Sequence, residues 1–377
     1  MDLKRTHEEN LISRTAAQFV DRELIAREGD YLKQKELFLP PGDPPRRDLD
    51  IETRATLEKI ARRIGLWALE LPEAAGGSAM NCVAQVLIYR EFGRTILPFE
   101  PACIPVLIGA SPYAKQVGAG ELSLSLPFEQ VHKTGSLDHI ETRFRPTADG
   151  FRLSNTTMSV LDPAADLFLF PAKEDGTHRV CLFALERNTA GLSFSDEGDL
   201  TTDGKVAIAT LHNCEVRAAQ LLGYEYEVAA LIAAQQLRVA ARSLGIAARC
   251  LADAIEYARN RVTFGRALAS RQAIQWMLAD AAIALRSCTW LTLKAAWQAD
   301  RELPYFKTAV LAKKRAAKMA FEAADLAIQI HGGYGVCKEL PFEGFYREAR
   351  LLRLLYGREG EMDRAMGERF ISTENRQ

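Results

Sequence analysis

The sequence predicts a multidomain α+β protein with an N-terminal helical domain, a central antiparallel β-domain and a C-terminal four-helix bundle. Three observations support this fold class. Apolar residues recur at helical spacing up to about residue 119, short alternating segments fill 120–224, and long stretches rich in alanine and leucine follow. The predicted domains are therefore 1–119, 120–224 and 225–377.

The first zone is predicted to be helical because its apolar residues return every three or four positions. One such face consists of Ile12, Ala16, Phe19, Val20 and Leu24. Similar spacing recurs in 57–64 and in 83–92. Proline and glycine in 71–77, and Gly93 after the second of these segments, interrupt the pattern and mark helix ends.

The middle zone changes to strand-like patterns. Polar and apolar residues alternate in 122–126, 140–144 and 206–211, whereas 167–170 and 180–185 are continuous apolar runs. Turn signals separate them, namely Asp149-Gly150, Asp162-Pro163 and Asp175-Gly176. Short strands joined by tight turns predict an antiparallel sheet.

The last zone returns to long helices, predicted over 226–258, 268–300 and 304–331. Within these ranges the single proline is Pro304, at an N-terminal position where a helix tolerates it. Alanine and leucine dominate, which favours close packing of helices in a bundle.

Composition and charge exclude several classes of protein. The chain has 377 residues and a formal net charge of −1, which gives no overall electrostatic reason to bind nucleic acid or a membrane surface. No apolar run is long enough to span a bilayer. The N-terminus mixes acids and bases without an apolar core, so we expect no signal peptide and a cytoplasmic location.

Cysteine and histidine spacing predicts neither disulfides nor a metal site. The seven cysteines are dispersed and none forms a C-x-x-C pair, while the six histidines form no H-x-x-x-H pair. Most of the thiols are therefore expected to be free and buried.

Two segments of the last zone carry the most specific signal. The first is Tyr257-Ala-Arg-Asn-Arg-Val-Thr-Phe-Gly265, followed by Gln272, and the second is Gln329-Ile-His-Gly-Gly-Tyr-Gly335 followed by Phe345-Tyr-Arg-Glu-Ala-Arg350. Taken singly, an arginine on a helix is usually a surface residue, and a glycine after a helix is usually a C-cap. Together, in this order, the two segments resemble the signature regions of the acyl-CoA dehydrogenase family. The resemblance covers nearly the whole chain and is sharpest in 245–357.

The resemblance implies FAD as cofactor and an acyl-CoA thioester as substrate. It assigns Arg261 to the FAD diphosphate, to which a planar guanidinium is well suited. Phe264 is implied to form an apolar wall beside the cofactor, and Gln272 to bond its adenosine half. Gln329, Gly332 and Gly333 are implied to contact the FAD adenosine of a neighbouring subunit. His331 is expected to be structural, and Gly265 to permit a close turn.

The resemblance breaks at the catalytic base. Where the family carries a glutamate that removes the α-proton, this chain has Tyr356. A phenol, with a reference pKa of about 10, is a poor base at neutral pH. Some members carry the base on the first long helix of the bundle, but the matching residue here is Gln235, which does not titrate. Glu359 is the fallback base, although a solvated surface acid is the simpler interpretation.

Two further departures affect the implied flavin and substrate sites. In the β-domain, the family segment that cradles the flavin ring matches 125–130, where Ser125 keeps a hydroxyl and Pro127 is retained. At the start of the bundle, acid and arginine contacts to CoA are replaced by Ala233 and Gln236, with Arg238 nearby.

The groups retained are those that a subunit lends to its neighbour's FAD, and the groups lost belong to its own site. The leading hypothesis is therefore a subunit of an FAD-dependent acyl-CoA dehydrogenase, paired with a homologous subunit that supplies the base. Electron-transfer flavoprotein is an expected redox partner. The alternatives are a homomeric flavoenzyme with non-standard chemistry, such as elimination or oxygen activation, and a non-catalytic structural subunit.

Overall fold

The computed structural model describes residues 5–36, 49–100, 105–126, 137, 140–200 and 205–371. Within those residues, five α-helices precede the sheet: α1 His7–Phe19, α2 Glu28–Glu36, α3 Ile51–Arg63, α4 Cys82–Phe92 and α5 Ala114–Ala119. Polar N-caps start α1, α3 and α4. The side chains of Thr6, Asp50 and Asn81 each accept a hydrogen bond from the backbone N–H three residues later.

The central sheet confirms the predicted change of structure in the middle of the chain. Its strands are β1 Leu124–Ser125, β2 Arg143–Pro146, β3 Gly150–Leu161, β4 Leu167–Glu174, β5 Val180–Glu186, β6 Leu192–Phe194, β7 Gly198–Asp199, β8 Lys205–Arg217 and β9 Leu221–Tyr224. The spatial order is β6-β8-β3-β2-β4-β5-β9, with β1 paired to β4 and β7 to β8. The first six residues of β4 are buried, which explains their continuous apolar run.

The prediction of a wholly antiparallel sheet is corrected in one respect, because the sheet is mixed. Strands β1 and β2 both pair parallel to β4, whereas the other ladders of this sheet are antiparallel. The periodicity of a strand reports which face is buried and not the direction of its neighbour. Strand direction here follows from chain connections that the alternation pattern does not encode.

The C-terminal part is helical, as predicted. Its helices are α6 Glu225–Asn260, α7 Gln272–Ala299, α8 Phe306–His331, α9 Phe342–Leu352 and α10 Glu359–Ile371. A two-stranded hairpin, β10 Val262–Thr263 and β11 Arg266–Ala267, separates α6 from α7. Helix α8 packs against both α7 and α9, and alanines dominate its buried face. None of the helices in the described part of the chain is long and apolar enough to cross a membrane.

Packing divides the described residues into two units. The helical unit comprises those within 1–66, 81–101 and 236–353, and the sheet unit those within 67–80, 102–235 and 354–377. The helical unit contains α1 to α4, most of α6, the hairpin and α7 to α9. The sheet unit contains α5, the nine-stranded sheet, α10 and the first turns of α6. The three-domain division 1–119, 120–224 and 225–377 follows element type and stays a prediction.

A glycine pair within the helical unit allows the end of α4 to meet α6. A Cβ built on Gly93 would overlap the backbone of Arg242, and one on Gly245 would overlap the backbone of Arg90 and Gly93. Backbone therefore packs against backbone at this crossing, and only glycine fits at these two positions. The close approach also brings the Arg242 guanidinium within 3.2 Å of the Phe92 carbonyl oxygen.

Candidate flavin site

The hairpin between α6 and α7 presents the first signature segment. Its two turn residues, Phe264 and Gly265, have φ angles of 52° and 77°, the left-handed conformation of a tight two-residue turn. The Arg271 guanidinium donates to the carbonyl oxygen and the hydroxyl of Thr263, at 2.8 and 3.0 Å, and lies over the Phe264 ring. These contacts hold the hairpin against the start of α7 and leave Phe264 97% exposed.

Arg261 and Gln272 flank this hairpin, and both are exposed. The carbonyl oxygen of Arg261 accepts a 2.8 Å hydrogen bond from the backbone N–H of Leu268, which closes the hairpin at its base. Gln272 is the first residue of α7. The backbone around both residues is therefore ordered by internal hydrogen bonds, while their side chains face outward.

The second signature segment ends α8. Gly332 has a φ angle of 60°, and a Cβ built on Gly332 or Gly333 would meet no atom within 4 Å. Both glycines are exposed, as is Gln329 one turn earlier. The positive φ at Gly332 requires glycine for backbone reasons. At Gly333, the open space shows that no other part of the chain packs against the position of a Cβ.

A ring stack joins the two segments within the helical unit. The rings of Tyr257, near the end of α6, and His331, at the end of α8, lie 4.1 Å apart with an angle of 27° between their planes. His331 is buried, and its Nδ1 lies 2.8 Å from the carbonyl oxygen of Ala327. Because Arg261 and Gly332 follow these two rings closely in sequence, the stack places both signature segments at one end of the unit.

Tyr356, which is predicted to occupy the position of the usual base, lies in the sheet unit. Tyr356 is half-buried and has a φ angle of 50°, and Gly357 follows with a φ angle of 125°. A side chain on Gly357 would overlap Met362 of α10. Two consecutive residues with positive φ form a sharp reversal whose shape depends on Gly357. Glu359 is the first residue of α10, where a carboxylate stabilises the helix N-terminus.

Ser125 and the two glutamines at the start of the bundle are all buried. The Ser125 hydroxyl donates to the Leu161 carbonyl oxygen at the end of β3. Residues 127–130, the rest of the segment expected to cradle the flavin ring, lie outside the described residues. Gln235 and Gln236 are buried amides of α6 that carry no charge. A role for Ser125 in holding the flavin therefore stays a prediction.

A charged cluster in the helical unit was not anticipated from the sequence. Arg242 contacts both Glu348 and Glu100, and Arg238 contacts Glu100 and lies over the Tyr89 ring. Burial alone would raise the pKa of Glu100, but the charges of Arg242 and Arg238 outweigh it and lower the pKa to about 2. Arg238, which sequence reasoning placed near a CoA contact, is therefore held by Glu100.

In the described part of the chain, no group of three or more His, Cys, Asp or Glu side chains is placed so that it could hold a metal ion. Four of the six cysteines described there are buried, and all six are free. Burial raises the pKa of the Cys181, Cys214 and Cys288 thiols, so they stay protonated at neutral pH.

Comparison with known proteins identifies the family. The family model described as acyl-CoA dehydrogenase, N-terminal domain, matches residues 6–118, and the corresponding C-terminal domain model matches residues 213–371. The chain belongs to the acyl-CoA dehydrogenase family. It is accordingly an FAD-dependent oxidoreductase.

Two characterised relatives align with nearly all of this acyl-CoA dehydrogenase family member. The human mitochondrial short-chain specific acyl-CoA dehydrogenase is 28% identical, with 95% of this chain and 88% of that protein covered. The caffeyl-CoA reductase-Etf complex subunit CarC of Acetobacterium woodii is 26% identical, with 93% and 95% covered. The family thus includes enzymes named for either direction of acyl-CoA redox chemistry.

Solved structures show the same fold. Butyryl-CoA dehydrogenase from Megasphaera elsdenii superimposes with a TM-score of 0.79 at 22% identity, with 99% of this chain and 100% of that chain covered. The ChsE4-ChsE5 complex from Mycobacterium tuberculosis gives the same four values. The FAD complex of PigA superimposes with a TM-score of 0.82 at 18% identity, covering 98% and 99%.

The residues at the signature end of the helical unit fit FAD chemically. Arg261 offers a fixed positive charge and paired donors to a diphosphate. Gln272 and Gln329 each offer an amide donor and acceptor to the adenosine half, and Gly332 and Gly333 offer backbone that no side chain covers. Phe264 offers an apolar surface. All of these groups are exposed.

Proposed function

We propose that this chain is a subunit of an acyl-CoA dehydrogenase that lends FAD contacts to a homologous subunit, which carries the catalytic base. One observation supports this most strongly: the residues assigned to a neighbour's FAD are exposed, while the position assigned to the chain's own base holds a tyrosine. When bound, FAD supplies the hydride acceptor for desaturation of the acyl-CoA between its α- and β-carbons.

The chain's own residues determine what it contributes to that reaction. Arg261 would bind the diphosphate, Gln272 and Gln329 would orient the adenosine, and Phe264 would exclude water from the cofactor. Removing the α-proton needs a carboxylate or similar base, and neither Tyr356 nor Gln235 provides one at neutral pH. The base would therefore come from the homologous subunit.

The partners follow from the same assignment. A homologous acyl-CoA dehydrogenase subunit completes the site, and electron-transfer flavoprotein accepts the electrons, in keeping with the Etf complex to which a relative belongs. A structural neighbour is itself a complex of two named chains, ChsE4 and ChsE5. A cytoplasmic location remains part of this proposal.

The deciding experiment compares flavin content and turnover of the chain alone and of the chain co-purified with the homologue encoded by a neighbouring gene. The isolated chain should show little flavin absorbance and little or no dehydrogenation with an artificial electron acceptor. The mixed complex should bind FAD and turn over. Full occupancy and robust turnover of the isolated chain would instead identify a homomeric flavoenzyme and point to Glu359. Flavin binding without turnover in either preparation would indicate a structural subunit.

Substituting Tyr356 by glutamate tests whether the base alone has been lost. General-base assistance is worth about 10²–10⁴-fold, so a restored site would be readily detected by acyl-CoA-dependent bleaching of the flavin. We expect FAD to stay bound in the mixed complex and no bleaching at this chain's own site, because Gln235 and Gln236 also depart from the family pattern. Tyr356→Phe is the matched control, since it removes only the hydroxyl. A clear gain with glutamate over phenylalanine would contradict the partner-subunit proposal.

A further inference from the structure

The turn of the hairpin between α6 and α7 holds a bulky residue in an unfavourable backbone conformation. Phe264 and Gly265 have φ angles of 52° and 77°, and the left-handed region suits glycine but is rare for a large side chain. Phe264 is also 97% exposed, so its ring gains little from packing within the chain. A strained residue persists where its surroundings fix it, so other contacts must stabilise this turn.

Thr263, the residue before the turn, receives those contacts. The Arg271 Nη2 group donates to the Thr263 carbonyl oxygen at 2.8 Å and to its hydroxyl at 3.0 Å. The same carbonyl belongs to the planar peptide that enters Phe264. Because one guanidinium nitrogen holds both the peptide and the side chain of Thr263, it fixes the direction in which the chain enters the turn.

Arg271 is itself anchored, so it can act as a clamp on the turn. It is the half-buried N-cap residue of α7. Its backbone N–H donates to the Leu268 carbonyl oxygen at 3.1 Å, and its carbonyl oxygen accepts from the Gln275 backbone N–H at 3.1 Å. The two hydrogen bonds to Thr263 therefore join the tip of a short hairpin to a helix of 28 residues.

The hairpin depends on this clamp because it is very short. Strands β10 and β11 contain two residues each, and in the described part of the chain they pair with each other alone. A two-stranded hairpin by itself is at best marginally stable in water. The hydrogen bond from the Leu268 N–H to the Arg261 carbonyl oxygen closes its base at 2.8 Å. Arg271 fixes the opposite end, where the turn lies.

We propose that Arg271 is a positioning residue for FAD, which keeps the hairpin in the shape that presents Arg261 and Phe264 to the cofactor. This inference rests on the proposed FAD contacts of those two residues. Arg271 acts through Thr263 and not by touching the cofactor. The apparent affinity for a ligand scales with the fraction of protein that already has the binding-competent conformation. If that fraction fell to about one tenth without the clamp, FAD would bind about tenfold more weakly.

Hydrogen exchange of the full chain, purified without added flavin, tests the clamp. The Leu268 amide reports on closure of the hairpin, because its N–H donates to the Arg261 carbonyl oxygen. In Arg271→Ala this amide should exchange at least about fivefold faster than in the native chain, since the hairpin opens locally more often. Amides in the middle of α8 are the internal reference for folding. Unchanged exchange at Leu268, with α8 equally protected, would overturn the proposal.

FAD titration of the mixed complex tests whether Arg271 acts through Thr263. Arg271→Ala should weaken FAD binding by about tenfold, and Thr263→Val, which removes the hydroxyl acceptor and keeps the carbonyl, by a smaller factor. The double variant should bind as weakly as Arg271→Ala alone, because both changes break the same contact. Thr263→Ser keeps the hydroxyl and should bind FAD like the native complex. Effects that multiply independently would place these side chains in separate contact with the cofactor and refute the positioning role.

Arg266→Ala is the control for the loss of a positive charge. Arg266 is an exposed arginine of β11 in the same hairpin, and its removal should change Leu268 exchange and FAD affinity by no more than about twofold. Equal losses in Arg266→Ala and Arg271→Ala would assign the effect to charge alone and contradict the clamp. If Arg261→Ala loses FAD while Arg271→Ala keeps it, this inference fails and the FAD contacts stand. If Arg261→Ala keeps FAD, the FAD-sharing proposal fails and the positioning role falls with it.

Discussion

Replacing Glu100 with glutamine is expected to lower the free energy of unfolding by about 3 kcal/mol at pH 7. Removing one partner of a buried ion pair costs about 3–5 kcal/mol because the other charge is left uncompensated. The lower end applies here, since the Glu100 side chain retains 19% exposure and Arg242 keeps its contact with Glu348. Denaturant unfolding at a fixed protein concentration measures the change.

The exposed Glu343–Arg347 pair provides the matched control. Its side chains are 49% and 53% exposed, so Glu343→Gln should change stability by no more than about 1 kcal/mol. Equal losses for the two variants would show that the Glu100 cluster contributes no more than a surface pair. The comparison holds the chemical change constant and varies only the surroundings of the carboxylate.

The effect of Glu100 should also depend on pH in a defined direction. Its folded pKa of about 2 lies below the value of about 4.3 for an unfolded glutamate. The ionised carboxylate therefore contributes stability that is fully present above about pH 4.3 and is lost as the pH falls toward 2. The difference between the native chain and Glu100→Gln should shrink over this window. A difference that stayed constant from pH 6 to pH 2 would contradict the depressed pKa.

Arg261→Ala is expected to weaken FAD retention in the mixed complex by about 10- to 150-fold. A hydrogen bond to a charged group contributes about 1.5–3 kcal/mol, and a buried diphosphate would lose its guanidinium partner. FAD retention by Arg261→Lys should fall between that of the native chain and that of Arg261→Ala, because lysine keeps the charge and loses the paired donors. Flavin content after gel filtration and FAD titration of the apoprotein measure the loss.

Arg259→Ala is the control for this substitution. Arg259 is an exposed arginine in the last turn of α6, two residues before Arg261, and it is outside the family signature positions assigned to FAD. Its removal should leave flavin content unchanged. Equal retention in Arg261→Ala and the native complex would exclude Arg261 from the FAD site.

Much of the fold could be predicted because its signals are local. The long proline-poor stretches became α6, α7 and α8 within a few residues of the predicted ends, and the apolar runs 167–170 and 180–185 lie within β4 and β5. Helical and strand periodicity depend on burial of one face, which the chain encodes residue by residue.

The sequence by itself determined the family, because family membership depends on residue types at fixed spacing. The FAD contacts and the loss of the glutamate at position 356 depend on the same kind of pattern and stay predictions. Tertiary structure alone decided that β1 and β2 run parallel to β4, that Tyr257 stacks on His331, and that Arg238 pairs with Glu100, 138 residues away. These contacts join residues that no local pattern links. They form only when packed helices and strands bring distant side chains within a few ångströms, where burial makes each polar pairing energetically decisive.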